Sequence, residues 1–206
     1  MLEIYFVRHT SVGVSKAVCY GKSDVELSEN FVYEKATVWD KLYQSGAFSQ
    51  AESPHFYSSP LQRCHLLAQH IQSQHKADLP IALDARIQEM DFGDWEMQKW
   101  DNLPIDSFQA WMNAFVNTPV PNGENFMALY NRTTDFLHHL VEKHDKSNSL
   151  QTKTIFVFAH AGSIRTMLSY CLGMPLENTF RFGMEYGAVS RVRYTEGYWK
   201  VDFVNR

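Results

Sequence analysis

The chain has 206 residues, 45% of them hydrophobic and 20% charged, with a formal net charge of −4. That length supports a single domain over 1–206 with its own core. The mild acidity argues against nucleic acid, whose binders carry a basic stripe, so any anion site must be a local cationic cluster. Three cysteines, Cys19, Cys64 and Cys171, with no CxxC pair, argue against a disulfide scaffold and favour a reduced, cytoplasmic setting. The start carries Glu3 and Arg8-His9 in place of a basic and then apolar leader. No apolar run approaches the ~20 residues that span a bilayer, so no membrane partner is expected.

Leu2-Glu3-Ile4-Tyr5-Phe6-Val7 reads as a buried β-strand that delivers Arg8-His9-Thr10-Ser11 into a loop. A helix follows to about residue 45, with Ser28 as N-cap, Phe31, Ala36, Val38, Trp39 and Leu42 as its apolar face, and Gly46 as its stop. Residues 54–58 form a short strand. Ser59-Pro60 then opens a helix with proline in the first helical position, running through Leu61, Cys64, Leu67, Ala68 and Ile71. Residues 81–89 look extended, and 90–123 are irregular, with Pro104, Pro119 and Pro121 breaking short helices. Over 124–143, Phe126, Leu129, Tyr130, Thr133, Leu137, Leu140 and Val141 fall at helical spacing. A second apolar strand, 155–159, leads into His160-Ala161-Gly162-Ser163-Ile164-Arg165. The helix over 163–172 is closed by Gly173 and Pro175. Residues 188–194 and 198–204 read as a closing hairpin. Strands alternating with helices imply a three-layer α/β/α fold with a largely parallel sheet and an antiparallel element at its end. No repeat, low-complexity segment or linker marks a second domain.

Ligands of an open α/β sheet bind beyond the carboxyl ends of its strands. Arg8 and His9 occupy one such end, His160 a second, and Arg63 lies near a third. A phosphate monoester is a dianion near neutral pH, and arginine's planar fork holds two of its oxygens at once. The amides of Gly162-Ser163 at a helix start add an anion-binding dipole. Either arginine alone fits a surface ion pair equally well; their shared placement favours phosphate. His9 fits two roles, phosphate ligand or nucleophile, since neutral imidazole attacks phosphorus well. The remaining histidines fit structural or exposed positions. His65, His70 and His75 recur every five residues and scatter around a helix, His138 and His139 point apart, and His55 and His144 have no evident partner. No HExxH, CxxC or Asp-rich pattern suggests a metal. A leaving alkoxide needs a proton, and Glu89, Asp91, Asp94 and Glu96 are candidates. Glu89, at the end of the extended segment beside Met90 and Phe92, has the crowded apolar setting that raises a carboxyl pKa. An acidic surface turn fits the same spacing.

Taken together, Arg8-His9-Thr10 after a strand, Arg63 after Ser-Ser-Pro-Leu, Glu89 in Glu-Met-Asp-Phe-Gly-Asp-Trp-Glu, and His160-Ala161-Gly162 after a second strand resemble the histidine phosphatase superfamily. This is the phosphoglycerate mutase-like fold in its short-chain branch, and the match runs in order across nearly the whole chain. The resemblance implies that His9 becomes a phosphohistidine. Arg8, Arg63 and a protonated His160 would hold the phosphoryl oxygens, while Glu89 protonates the leaving oxygen and then activates water. A preset pocket of donors can supply much of such catalysis, so no metal or cofactor is implied, and the partner is a small phosphomonoester. Tyr20 and Gly21 align with the family's substrate loop. With Thr10, Ser15 and Ala161 they make up the implied substrate contacts, and Gly123-Glu124 matches a pair that opens a helix near the pocket. Two positions depart from the pattern: Thr10 stands where glycine usually follows the nucleophile, and Met97 where glycine usually follows Trp-Glu. The short 100–123 region has Lys99 beside it and no arginine, which favours a phosphatase over a phosphoglycerate mutase. Residues 19–24 are similar to the alpha-ribazole phosphatases of cobalamin nucleotide-loop assembly, implying alpha-ribazole phosphate as a substrate. A mutase-type phosphoryl transferase and a non-catalytic phosphate-binding regulator are the competing functions; a mere binder has little use for Glu89.

Overall fold

A computed structural model describes residues 1–49, 53–75, 78–145 and 151–206. Its centre is a six-stranded sheet formed by β1 (Leu2–Arg8), β2 (His55–Ser58), β3 (Ile81–Leu83), β4 (Lys153–Ala159), β5 (Val189–Thr195) and β6 (Tyr198–Phe203). The strand order is β3-β2-β4-β1-β5-β6. The pairs β2–β3, β2–β4 and β1–β4 are parallel, whereas β5 runs antiparallel to β1 and to β6. This is the largely parallel sheet with an antiparallel end that the alternation of elements implies.

Helices α1 (Phe31–Gln44), α2 (Gln62–Gln74), α4 (Phe126–His144) and α5 (Ala161–Leu172) cover the sheet, while α3 (Ile105–Ala114) sits in the segment before α4. Period-two alternation along the strands makes two cores. Ile4, Phe6, Ile155 and Val157 pack on Phe136, Leu140, Ile164 and Met167 of α4 and α5. Tyr5, Val7, Phe156 and Phe158 face Val38 and Leu42 of α1 and Cys64, Leu67 and Ile71 of α2. Each such buried side chain contributes roughly 1.5–3 kcal/mol, so the central strands are the most firmly held part of the molecule. A third, aromatic-rich cluster joins Trp95, Trp111 and Phe126 to Met90 and Cys19. It anchors the irregular 90–123 segment, which includes α3 and short 3₁₀ turns, against the loop before Gly21.

Several boundaries differ from the sequence expectation. The regular part of α1 starts at Phe31; Asn30 before it already has helical backbone angles and makes no side-chain cap bond, while the Ser28 hydroxyl accepts from Asn30 N at 3.2 Å, the capping contact expected of Ser28. Ala36 is exposed, outside the apolar face. Pro60 lies before α2, whose cap position is Leu61. The extended reading of 81–89 holds only for β3; a 3₁₀ turn over Ala85–Ile87 follows, capped by the Asp84 side chain. α4 begins two residues after Glu124, since the Asn125 side chain accepts from Ala128 N at 2.8 Å. His144 does have partners: its Nε2 lies 2.8 Å from the Tyr57 hydroxyl, and its ring centroid is 4.2 Å from that of His55. Burial, reinforced by His55, pushes His144 down to about 4. Met97 takes φ 63°, the left-handed conformation that glycine adopts freely. The turn therefore keeps a glycine-like backbone at a cost of about 1–2 kcal/mol.

Candidate active site

The register of the sheet brings the strand-end residues together. Arg8 pairs with Ala159 across β1 and β4, so the residues that follow, His9 and His160, leave the sheet side by side with ring centroids 5.2 Å apart. On the other side of β4, Ser58 pairs with Phe158, and the next residue, Ser59, donates its amide to the Phe158 carbonyl at 2.9 Å. α2 begins just beyond, with Arg63 in its first turn and fully buried. The loop after His9 is tied to α1, where Glu34 accepts from Ser11 N and Ser11 Oγ, both at 2.7 Å.

His9 is 2% exposed. Its Nδ1 lies 2.7 Å from the Thr10 carbonyl. A carbonyl only accepts, so Nδ1 carries the proton and Nε2 keeps its lone pair. Burial, followed by the charges of Arg63 and Arg8, holds His9 well below the ordinary histidine pKa. His160 is bound on both sides: Arg63 Nε donates to its Nδ1 at 3.1 Å, and Ser59 Oγ lies 2.8 Å from its Nε2. Nδ1 is therefore an acceptor and bears no proton. Burial and the Arg63 guanidinium also hold this imidazole well below the usual value. To become protonated at Nδ1, as the family resemblance implies for His160, the ring would have to give up the hydrogen bond that it accepts from Arg63 Nε. A histidine of ordinary pKa, ~6.5, is mostly protonated at pH 6. The depressed values of His9 and His160 move their protonation to lower pH, so both should keep neutral-imidazole ¹⁵N shifts at pH 6. Protonated rings at that pH would contradict the geometry.

The two arginines are held differently. Arg63 Nη1 donates to Ser23 O at 2.7 Å and Nη2 to Gly21 O at 2.6 Å, with further guanidinium hydrogens to spare. Arg8 Nη1 donates to the Met184 carbonyl, and its guanidinium lies 4.0 Å from the ring centroid of Tyr186. Gly21 has φ 28°, and a Cβ there would meet Glu96 Oε1 at 2.1 Å and Met90 O at 2.5 Å. Only glycine fits. Glu96 is the tie between loops, accepting from Lys22 N and Phe92 N on Oε1 and from Ser23 N on Oε2.

Glu89 Oε2 accepts from Gly162 N at 2.9 Å and Oε1 from Met90 N at 3.1 Å. The Gly162 amide, expected at the sequence level to serve a phosphate, therefore serves a protein carboxylate at the start of α5. That placement suits the helix dipole. A Cβ on Gly162 would lie 2.3 Å from Glu89 Oε1, so a larger residue there would displace the carboxylate.

Arg8 and Glu89 border a cleft of about 360 Å³ whose lining also includes Lys16, Tyr20, Gly21 and Tyr186, while the buried His9, Arg63 and His160 lie behind that lining and outside it. Tyr20 and Tyr186 meet across it, hydroxyl to hydroxyl, at 2.9 Å. Ser15 is exposed and lies outside the lining; its Oγ accepts from Ala17 N at 3.2 Å, shaping the turn that presents Lys16 instead. Ala161 is also outside the lining, at the first position of α5. Thr10 is buried, gives its carbonyl to His9, and leaves its Oγ1 without a hydrogen-bond partner among the described residues. Lys16 and Trp100 line the cleft as well, and so does Tyr186, which the sequence did not single out. Tyr186 precedes Gly187-Ala188 at the entry to β5, and no local pattern in the sequence ties it to His9.

Among the described residues no group of three or more His, Cys, Asp or Glu is placed to hold a metal ion, and no helix is long and apolar enough to cross a membrane. The fold and the strand-end constellation are those of a phosphoryl-group enzyme. The chain belongs to the histidine phosphatase superfamily, branch 1, whose family model matches residues 4–206. It is 26% identical to the adenosylcobalamin/alpha-ribazole phosphatase of Salmonella typhimurium over 208 residues, covering 99% of this chain and 96% of that one. It is 27% identical to a probable phosphoglycerate mutase of Citrobacter koseri over 205 residues, 97% of this chain and 88% of that one. In fold it is similar to the crystal structure of a putative alpha-ribazole-5'-P phosphatase from Escherichia coli, with a TM-score of 0.84, 21% identity, and 100% and 96% of the two chains covered. The chain is a phosphatase enzyme with a phosphoglycerate mutase-like α/β fold.

Proposed function

We propose that this enzyme is a metal-independent phosphomonoesterase that works through a phosphohistidine on His9, with alpha-ribazole phosphate as its substrate. The observation that carries the reading is the geometry at His9: a buried imidazole whose Nδ1 lies 2.7 Å from the Thr10 carbonyl, leaving Nε2 without a hydrogen bond among the described residues. Arg8 and Arg63 take the equatorial phosphoryl oxygens. The incoming dianion raises the proton affinity of His160, which takes up a proton as the phosphate binds and becomes a third donor. The His9 Nε2–P bond then forms as the ester P–O bond breaks, and Glu89 gives its proton to the leaving oxygen. The resulting carboxylate removes a proton from water, which attacks phosphorus, releases phosphate and restores neutral His9. Tyr20 and Gly21, in the cleft lining, would contact the substrate, with the buried Thr10 behind them.

The alternative is a phosphoglycerate mutase-type transferase, as the similarity to the Citrobacter koseri protein suggests. A mutase must grip a second phosphate, and the cations in the cleft lining are Arg8, already engaged near His9, and Lys16. With a strong chelator present, alpha-ribazole phosphate should release inorganic phosphate. 3-Phosphoglycerate with catalytic 2,3-bisphosphoglycerate should give no 2-phosphoglycerate. Loss of hydrolysis on chelation, or net isomerisation of phosphoglycerate, would overturn the proposal.

A further inference from the structure

We infer that Arg132 is a positioning residue for Glu89, fixing where its carboxylate stands without touching the substrate. This rests on the reading of Glu89 as the proton donor. Arg132 lies on α4 and is not part of the cleft lining. Every nitrogen of its guanidinium is engaged. Nη1 donates to the carbonyls of Arg86 at 2.8 Å and Gln88 at 2.7 Å. Nη2 donates to the carbonyl of Glu89 itself at 2.9 Å and to Glu124 Oε2 at 2.9 Å, and Nε donates to Glu124 Oε1 at 3.0 Å.

This is more than an ion pair. A partly exposed Glu–Arg pair alone contributes little. Here one planar fork gathers three carbonyls, that of Arg86 inside the 3₁₀ turn and those of Gln88 and Glu89 just after it, in a segment that joins no sheet and so offers them no ladder partners. Glu124 closes the frame on the far side of Glu89: its Oε2 accepts from Asp91 N at 3.0 Å, and its own amide donates to Asp91 O at 2.8 Å. The backbone on both flanks of Glu89 is therefore bolted to the start of α4. From that frame the side chain reaches Gly162 N on α5.

Proton transfer needs a donor within about 2.6–3.2 Å of the oxygen it serves. A misplacement of about 1 Å can cost ~100-fold in rate. Lysine offers a single point charge, so it cannot reproduce a fork that spans three carbonyls and a carboxylate. Loss of the frame should thus slow the step that uses Glu89 and leave phosphate binding at Arg8 and Arg63 intact.

The test compares Arg132→Lys, Arg132→Met, Glu89→Gln and the Arg132→Lys/Glu89→Gln double variant on an alkyl phosphate and on p-nitrophenyl phosphate. Should Arg132→Met fail to fold, Arg132→Lys carries the comparison. The expected result for Arg132→Lys is a kcat on the alkyl phosphate lower by roughly 30- to 100-fold, KM within about 2-fold, and kcat on the nitrophenyl ester within about 3-fold. The double variant should lose little beyond Glu89→Gln alone, because both changes act on one proton transfer. Equal losses on both substrates, or additive losses in the double variant, would overturn the inference while Glu89→Gln still discriminates between the substrates. If Glu89→Gln does not discriminate, the role of Glu89 falls first and that of Arg132 with it.

Discussion

His9→Ala should abolish phosphatase turnover, with a fall of roughly 10⁴-fold or more on any phosphomonoester. No other group in the cleft can replace it. His160, the nearest imidazole, has Nδ1 engaged by Arg63 and Nε2 beside Ser59. Cys64 is fully buried behind that ring, with Sγ donating to the Ala159 carbonyl at 3.3 Å. The substitution should leave the fold intact, since among the described residues the side chain's one hydrogen bond is to the neighbouring Thr10 carbonyl. Inorganic phosphate should still bind, because Arg63 is fixed by Gly21 and Ser23 and not by His9. Undiminished turnover of the alanine variant would refute covalent catalysis at this residue.

Glu89→Gln should reveal itself through the leaving group. An alkyl alkoxide is a poor leaving group that needs a proton, whereas nitrophenolate departs with little help. The expected loss is therefore about 10²- to 10³-fold in kcat on alkyl phosphates and under about 10-fold on p-nitrophenyl phosphate. The glutamine side chain retains one oxygen to accept from Gly162 N or Met90 N, the two donors that orient the carboxylate. Much of its placement should survive, so the experiment isolates the proton. Equal losses on both esters would remove Glu89 from that role.

The extent to which the chain's chemistry is legible depends on how local it is. Apolar runs that stop abruptly at Arg8 and at His160 mark strand ends, and parallel register does the rest by setting Arg8 opposite Ala159. Gly173, with φ 59°, ends α5 as the sequence pattern implies. Helix starts are less legible to the residue: the Ser28 hydroxyl caps as its type suggests, yet the regular helix begins at Phe31, and Asn125 rather than a residue of the helical spacing caps α4. The surroundings of His160 are not local in sequence: burial between strand ends, and then Arg63 far away in the chain, lower its pKa. Tyr186 and Arg132 are silent for the same reason, since the carbonyls and rings they meet carry no signature. Met97 shows the converse: a residue that breaks the family pattern while its backbone keeps the left-handed conformation the pattern encodes.

The central claim is the phosphohistidine, and rapid-quench trapping tests it most directly. Enzyme mixed with a ³²P-labelled phosphomonoester and quenched in alkali should carry acid-labile, alkali-stable label on the peptide containing His9. That label should be absent from His9→Ala. Steady turnover with no labelled enzyme, or label on any residue other than His9, would contradict the account.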